Sequence, residues 1–190
     1  KVVESTTIAA YLKDAGYDLA FGGKEHLPPS LSPKALGFVD ITNNERDGLA
    51  EEAAKYIKQT HTKPYFMTVS LINPHDICYM AIRDFADSAE AKGILKHGKT
   101  EIATLDEALK LPLGVGKDEF FATHCPPLPP NFEPQKEEPK AISAMLEARS
   151  FRISAREKYT QEQWRMHRWA YARLTEKVDG QIQVILDALK

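Results

Sequence analysis

Two short stretches of this chain carry residue types that handle anions and protons: Gly22-Gly23-Lys24-Glu25-His26 and Asn73-Pro74-His75-Asp76. Side chains alternate along an extended backbone, so Lys24 and His26, two positions apart, would fall on the same side. They would offer a fixed positive charge beside an imidazole donor. A sulfate or phosphate suits that pair. Taken alone, a loop lysine is most often solvated and a histidine most often bonded to nearby backbone. Lys24, His26 and His75 rise above those ordinary readings because of where they fall relative to the strands.

The elements that position them follow from hydrophobic spacing. From Ser5, hydroxyl residues precede Ile8, Leu12 and Ala15, and Gly16 supplies a stop, so a helix is expected. Tyr17 to Gly22 is short and apolar and runs into Gly22-Gly23, as a buried parallel strand entering a permissive loop would. The pattern then recurs. Asn43 to Thr60 places Leu49, Ala53, Ala54, Tyr56 and Ile57 on one helical face, and Lys63-Pro64 leads into a strand over Tyr65 to Ile72. Helix and strand twice over predict right-handed crossovers and a mostly parallel sheet with helices on its faces, a three-layer α/β arrangement. In such sheets ligands bind at the carboxyl ends of the strands, where both chemical loops begin.

Between Asp76 and Ser143 the periodicity weakens, with a helix expected near Thr104 to Lys110. The run Cys125-Pro-Pro-Leu-Pro-Pro-Asn-Phe-Glu-Pro134 lacks the backbone donors for a sheet or helix. Residues 82–142 therefore read as a long surface excursion. From Thr160 to Leu189 the spacing of Trp164, His167, Tyr171, Leu174, Val178, Ile182, Ile185 and Leu189 predicts one long amphipathic helix. Trp164, Trp169 and Tyr171 could line a sugar-binding rim, although a stripe of that kind more often packs in a core. Asp76 reads as a helix N-cap and Cys78 as a small buried hydrophobe.

Composition sets bounds. Of 190 residues 43% are hydrophobic, enough for a real core, and the formal net charge of −2 gives no field that would draw the chain to nucleic acid or to an anionic membrane. No apolar run is long enough to span a bilayer, and Lys1 to Ala10 carry no secretory hydrophobic segment. Cys78 and Cys125 have no Cys or His at zinc-ligand spacing.

The stretch from Thr7 to Pro28, Thr-Ile-Ala-Ala-Tyr-Leu-Lys-Asp-Ala-Gly-Tyr-Asp-Leu-Ala-Phe-Gly-Gly-Lys-Glu-His-Leu-Pro, resembles the sulfatase segment in which a helix ending Ala-Gly-Tyr leads to Gly-Lys-x-His-Leu. Pro64 to Asp76 resembles that family's second strand and Pro-His turn, and Tyr171 to Lys190 its long helix after the substrate-facing loops. The resemblance implies an alkaline-phosphatase-like α/β domain of a sulfuric ester hydrolase, periplasmic or secreted, acting on a sulfated carbohydrate or an aryl sulfate. It implies that Lys24 contacts the sulfate oxygens, that His26 hydrogen-bonds a formylglycine nucleophile, and that His75 faces the leaving oxygen. It also implies calcium in the intact parent. The family's Cys/Ser-x-Pro-x-Arg motif is missing: Cys125-Pro-Pro-Leu-Pro129 has proline where arginine must stand and follows Lys24 instead of preceding it. The aspartate pairs of the calcium site are also missing, and Glu25 stands where many members have tryptophan. The expectation is thus an internal piece of such an enzyme, inactive alone, binding no calcium itself and prone to self-association through exposed sheet edges. Two other readings stay open: a degenerate module that holds a sulfated glycan without turning it over, and a relative that cleaves phosphodiesters.

Overall fold

In the computed structural model, residues 6–190 are described; Ser5, expected at the start of the first helix, lies outside them. The chain is mixed α/β, and its described residues form a small three-stranded parallel sheet together with many helices. It divides into two compact units, residues 6–73 with 177–190 and residues 74–176.

The first unit contains the sheet. Helix α1 (Ile8–Asp14) is capped by Thr7, whose hydroxyl accepts the Ala10 amide at 3.3 Å. It ends through Gly16 in the left-handed region, at φ 87°. Strand β1 (Asp18–Gly23) is central, pairing in parallel with β2 (Val39–Asp40) on one side and β3 (Tyr65–Ser70) on the other. The two-residue β2 has no periodicity to reveal it and was not expected from the sequence. Helix α2 (Leu49–Ile57) follows β2 and buries Leu49, Ala50, Ala53 and Ala54 completely or nearly so, beside Leu19 and Ala20 of β1 in the core. Its charges suit the helix dipole, with Glu51 and Glu52 in the first turn and Lys55 in the last.

Helix α2 begins six residues later than its apolar pattern suggests. The Asn44 amide donates to the Thr42 hydroxyl at 3.0 Å and the Arg46 amide to the Asn44 side chain at 2.9 Å, so side chains there take up donors that a helix would use. The β3 strand likewise stops at Ser70, two residues short of Ile72.

The second unit is helical. Its helices are α3 (Cys78–Asp84), α4 (Ala89–His97), α5 (Lys99–Ala108), the single turn α6 (Lys117–Glu119), α7 (Lys140–Glu147) and α8 (Ser150–Lys158). Helix α9 (Gln161–Ala188) runs on through residues counted with both units. It opens with a reciprocal cap: the Gln163 amide donates to the Thr160 hydroxyl at 3.2 Å and the Thr160 amide to the Gln163 side chain at 2.9 Å. Residues 82–142 are more than a covering loop. Leu105 and Ala108 join Tyr79, Met80, Ala155, Tyr159, Ala170 and Leu174 in one buried cluster, and Phe120 and Cys125 pack with Trp169 in another. The proline-rich stretch 126–134 carries no helix, as its missing donors require. Among the described residues no helix is long and apolar enough to cross a membrane.

Candidate functional site

Lys24 and His26 belong to the first unit and His75 to the second. The loop carrying Lys24 and His26 starts at the carboxyl end of the central strand. Gly23, the last residue of β1, has φ 107°, and a Cβ there would lie 2.1 Å from the Ser70 carbonyl oxygen. That approach lets the Lys24 amide donate to the same oxygen at 2.9 Å, tying the base of the loop to the end of β3. The requirement for glycine is therefore local and steric. Beyond it, Lys24 and His26 are exposed, and neither side chain makes a hydrogen bond or ion pair among the described residues.

A hollow of about 290 Å³ lies at this end of the sheet, and neither Lys24 nor His26 lines it. Its walls carry Glu25, Asp40 and Glu45 against a single cation, Lys34. Three carboxylates around one lysine disfavour an anion within the hollow itself. No sequence signal marks it, because Asp40 is brought beside Phe21 only by the pairing of the two-residue β2 with β1.

His75 opens a single 3-10 turn, His75–Ile77, after Pro74. Its side chain is half exposed, with Nδ1 3.7 Å from an Asp76 carboxylate oxygen. Asp76 is wholly buried and sits inside the turn, where its backbone position is not that of an N-cap. Cys78, expected to be buried, keeps an exposed surface at the start of α3. Its thiol is nevertheless raised to about 11, first by loss of solvent around it and then by the neighbouring Asp76 charge. A thiol held that high is a poor nucleophile at neutral pH.

Among the described residues no three His, Cys, Asp or Glu side chains converge as metal ligands. The aromatic residues of α9 separate by role. Trp169 is buried edge-on against Phe120 at 5.0 Å and donates to the Lys110 carbonyl at 3.2 Å, Tyr171 is 48% exposed, and Trp164 is half-buried.

No motif in the sequence marks Arg165. Its guanidinium donates to the carbonyls of Phe121, Cys125 at 2.7 Å and Pro126 at 3.1 Å, and it lies over the Phe121 ring. It is the clamp that holds the turn leading into the proline-rich stretch. Comparison with family models, with curated proteins and with solved structures finds no match to this chain.

Proposed function

We propose that this chain is part of a sulfuric ester hydrolase of the sulfatase type, with an alkaline-phosphatase-like domain in the intact parent. The observation that supports the reading is the placement of Lys24-Glu25-His26. The loop leaves the carboxyl end of the central strand of a parallel sheet and is bonded at its base to the end of β3, the strand that leads on to Asn73-Pro74-His75. In this reading Lys24 supplies positive charge to the sulfate oxygens, where negative charge spreads as the S–O bond breaks. His26 hydrogen-bonds the nucleophile, which lies outside these 190 residues, while the departing oxygen needs a proton or a positive neighbour. Calcium, in the parent, would supply further charge neutralisation at the sulfate.

The test begins with the coding DNA on both sides of this segment. A Cys/Ser-x-Pro-x-Arg motif upstream and aspartate metal pairs downstream are expected. The parent protein should then hydrolyse 4-nitrophenyl sulfate, and Lys24→Ala and His26→Ala should each reduce kcat/KM by about a hundredfold or more, the scale of losing one charge-stabilising or proton-transferring group. Absence of both motifs would sink the hydrolase reading and leave an anion-binding module. Hydrolysis of phosphodiesters in preference to sulfate esters would move the chain to the phosphoryl-transfer relatives.

A further inference from the structure

A groove of about 740 Å³ lies within the second unit, between the proline-rich stretch and helices α7, α8 and α9. That size is ordinary for a small-molecule site. One wall is aromatic: Trp164 meets Tyr159 edge-on at 5.2 Å and Phe132 at 6.0 Å, and the three stiffen one another. The charged groups are arginines, and their partners differ. Arg156 donates to Glu138 at 2.7 Å and is neutralised by it. Arg152 donates to the Met145 carbonyl at 2.7 Å, which orients the guanidinium without cancelling its charge. Arg168, half-buried on α9, makes no hydrogen bond or ion pair among the described residues. The remaining acid on the wall, Glu133, is exposed.

Two uncompensated guanidinium groups in a partly desolvated groove with an aromatic wall favour a ligand that brings its own negative charge and a flat apolar face. The guanidinium fork matches the spacing of carboxylate and sulfate oxygens, and Arg keeps its charge at any physiological pH. We propose that this groove is a binding site for a small ring-borne oxyanion, a sulfate or carboxylate carried on an aryl or sugar ring. Arg168 and Arg152 take the anion, and Trp164 and Phe132 pack against the ring. The site lies apart in sequence from Lys24 and His26 and does not depend on the hydrolase reading.

Calorimetric titration of the full chain with 2-naphthyl sulfate tests it. Saturable binding is expected, with inorganic sulfate and neutral 2-naphthol each binding at least about tenfold more weakly, because each offers half of the complementarity. Arg168→Gln should weaken the naphthyl sulfate by about tenfold or more and Arg168→Lys by less. Glucose 6-sulfate in place of naphthyl sulfate separates a sugar ring from an aryl ring by which one binds more tightly. A readout independent of any variant is the indole N–H signal of Trp164 in the unmutated chain, which should shift on titration while that of Trp169 stays. The proposal is overturned by failure of both ring sulfates to bind, by 2-naphthol binding as well as its sulfate, by binding that Lys24→Ala abolishes and Arg168→Gln spares, or by a stationary Trp164 signal.

Discussion

Gly23→Ala should loosen the sheet at the base of the Lys24 loop, and its size can be worked from the structure. Alanine at φ 107° carries a left-handed penalty of roughly 1–2 kcal/mol. The new methyl would lie 2.1 Å from the Ser70 carbonyl oxygen and 2.8 Å from Leu49 Cδ2, so β1 and β3 must part at their ends. That movement breaks the Lys24 amide bond to Ser70, worth about 1 kcal/mol net. Together these give about 2–3 kcal/mol, which native-state amide exchange would report as roughly thirty- to 150-fold faster exchange across β1 and β3. Two internal controls sharpen the test. Gly16→Ala, at φ 87° with nothing within 4 Å of the new Cβ, should carry only the left-handed penalty of about 1–2 kcal/mol. Gly93→Ala, in the interior of α4 with open space around it, should stabilise its unit by about 0.4–1 kcal/mol. Exchange in Gly23→Ala within threefold of the parent, or no faster than in Gly16→Ala, would refute the claim that close strand approach demands this glycine.

Arg165→Met removes the donor shared by three carbonyls and should destabilise the second unit by about 2–4 kcal/mol, read by urea unfolding followed through Trp164 and Trp169, both of which lie there. Burial lowers the proton affinity of His167 in the folded chain. Its contribution to stability is therefore intact above the ordinary histidine pKa of about 6.5 and is lost as pH falls toward the depressed folded value, with a slope no steeper than about 1.4 kcal/mol per pH unit. His167→Gln should flatten that part of the pH–stability curve, and an unchanged curve would exclude His167 as its source. Cys78, although exposed, should react with iodoacetamide on the order of a hundredfold more slowly than free cysteine at pH 8, with the rate still rising tenfold per pH unit up to pH 10, because its thiol lies near 11.

The elements with strong periodicity were legible. Trp164 through Leu189 at helical spacing corresponds to α9, and Tyr65 onward to β3, in each case within one or two residues at most boundaries. Boundaries set by side-chain competition were not. Thr42 and Asn44 draw amides out of the start of α2, and no hydrophobic pattern records that. β2 is held by its pairing with β1 and has no local signature at two residues. The division into two units was hidden for a related reason: the second core is assembled from buried residues spread over several elements, among them Tyr79 and Met80 on α3, Leu105 on α5 and Leu174 on α9, and no one stretch carries its whole pattern. Of the candidate site, the loop ends were readable because strand followed by Gly-Gly is a local signal. The fields around them were not, because Asp40 and Glu45 reach the hollow from chain far beyond Lys24.

That difference between local motif and assembled field bears on how an anion would be held. Near Lys24 and His26 the assembled hollow is acidic, so a sulfate there needs positive charge beyond what the hollow's own lining offers, and in the hydrolase reading the parent must supply it. In the groove of the second unit the balance is reversed: Glu138 neutralises one guanidinium, and two others retain their charge beside an aromatic wall. Sequence spacing ranks the first location higher, because Lys-x-His is compact and follows a strand. Electrostatics ranks the second higher for this chain by itself, because attraction depends on uncompensated charge and on how little water screens it. The two rankings predict different behaviour in salt. Binding at an exposed Lys24 should fade steeply as ionic strength rises, whereas binding in the groove, supported by ring burial, should retain most of its strength. A steep salt dependence for naphthyl sulfate would therefore count against the groove.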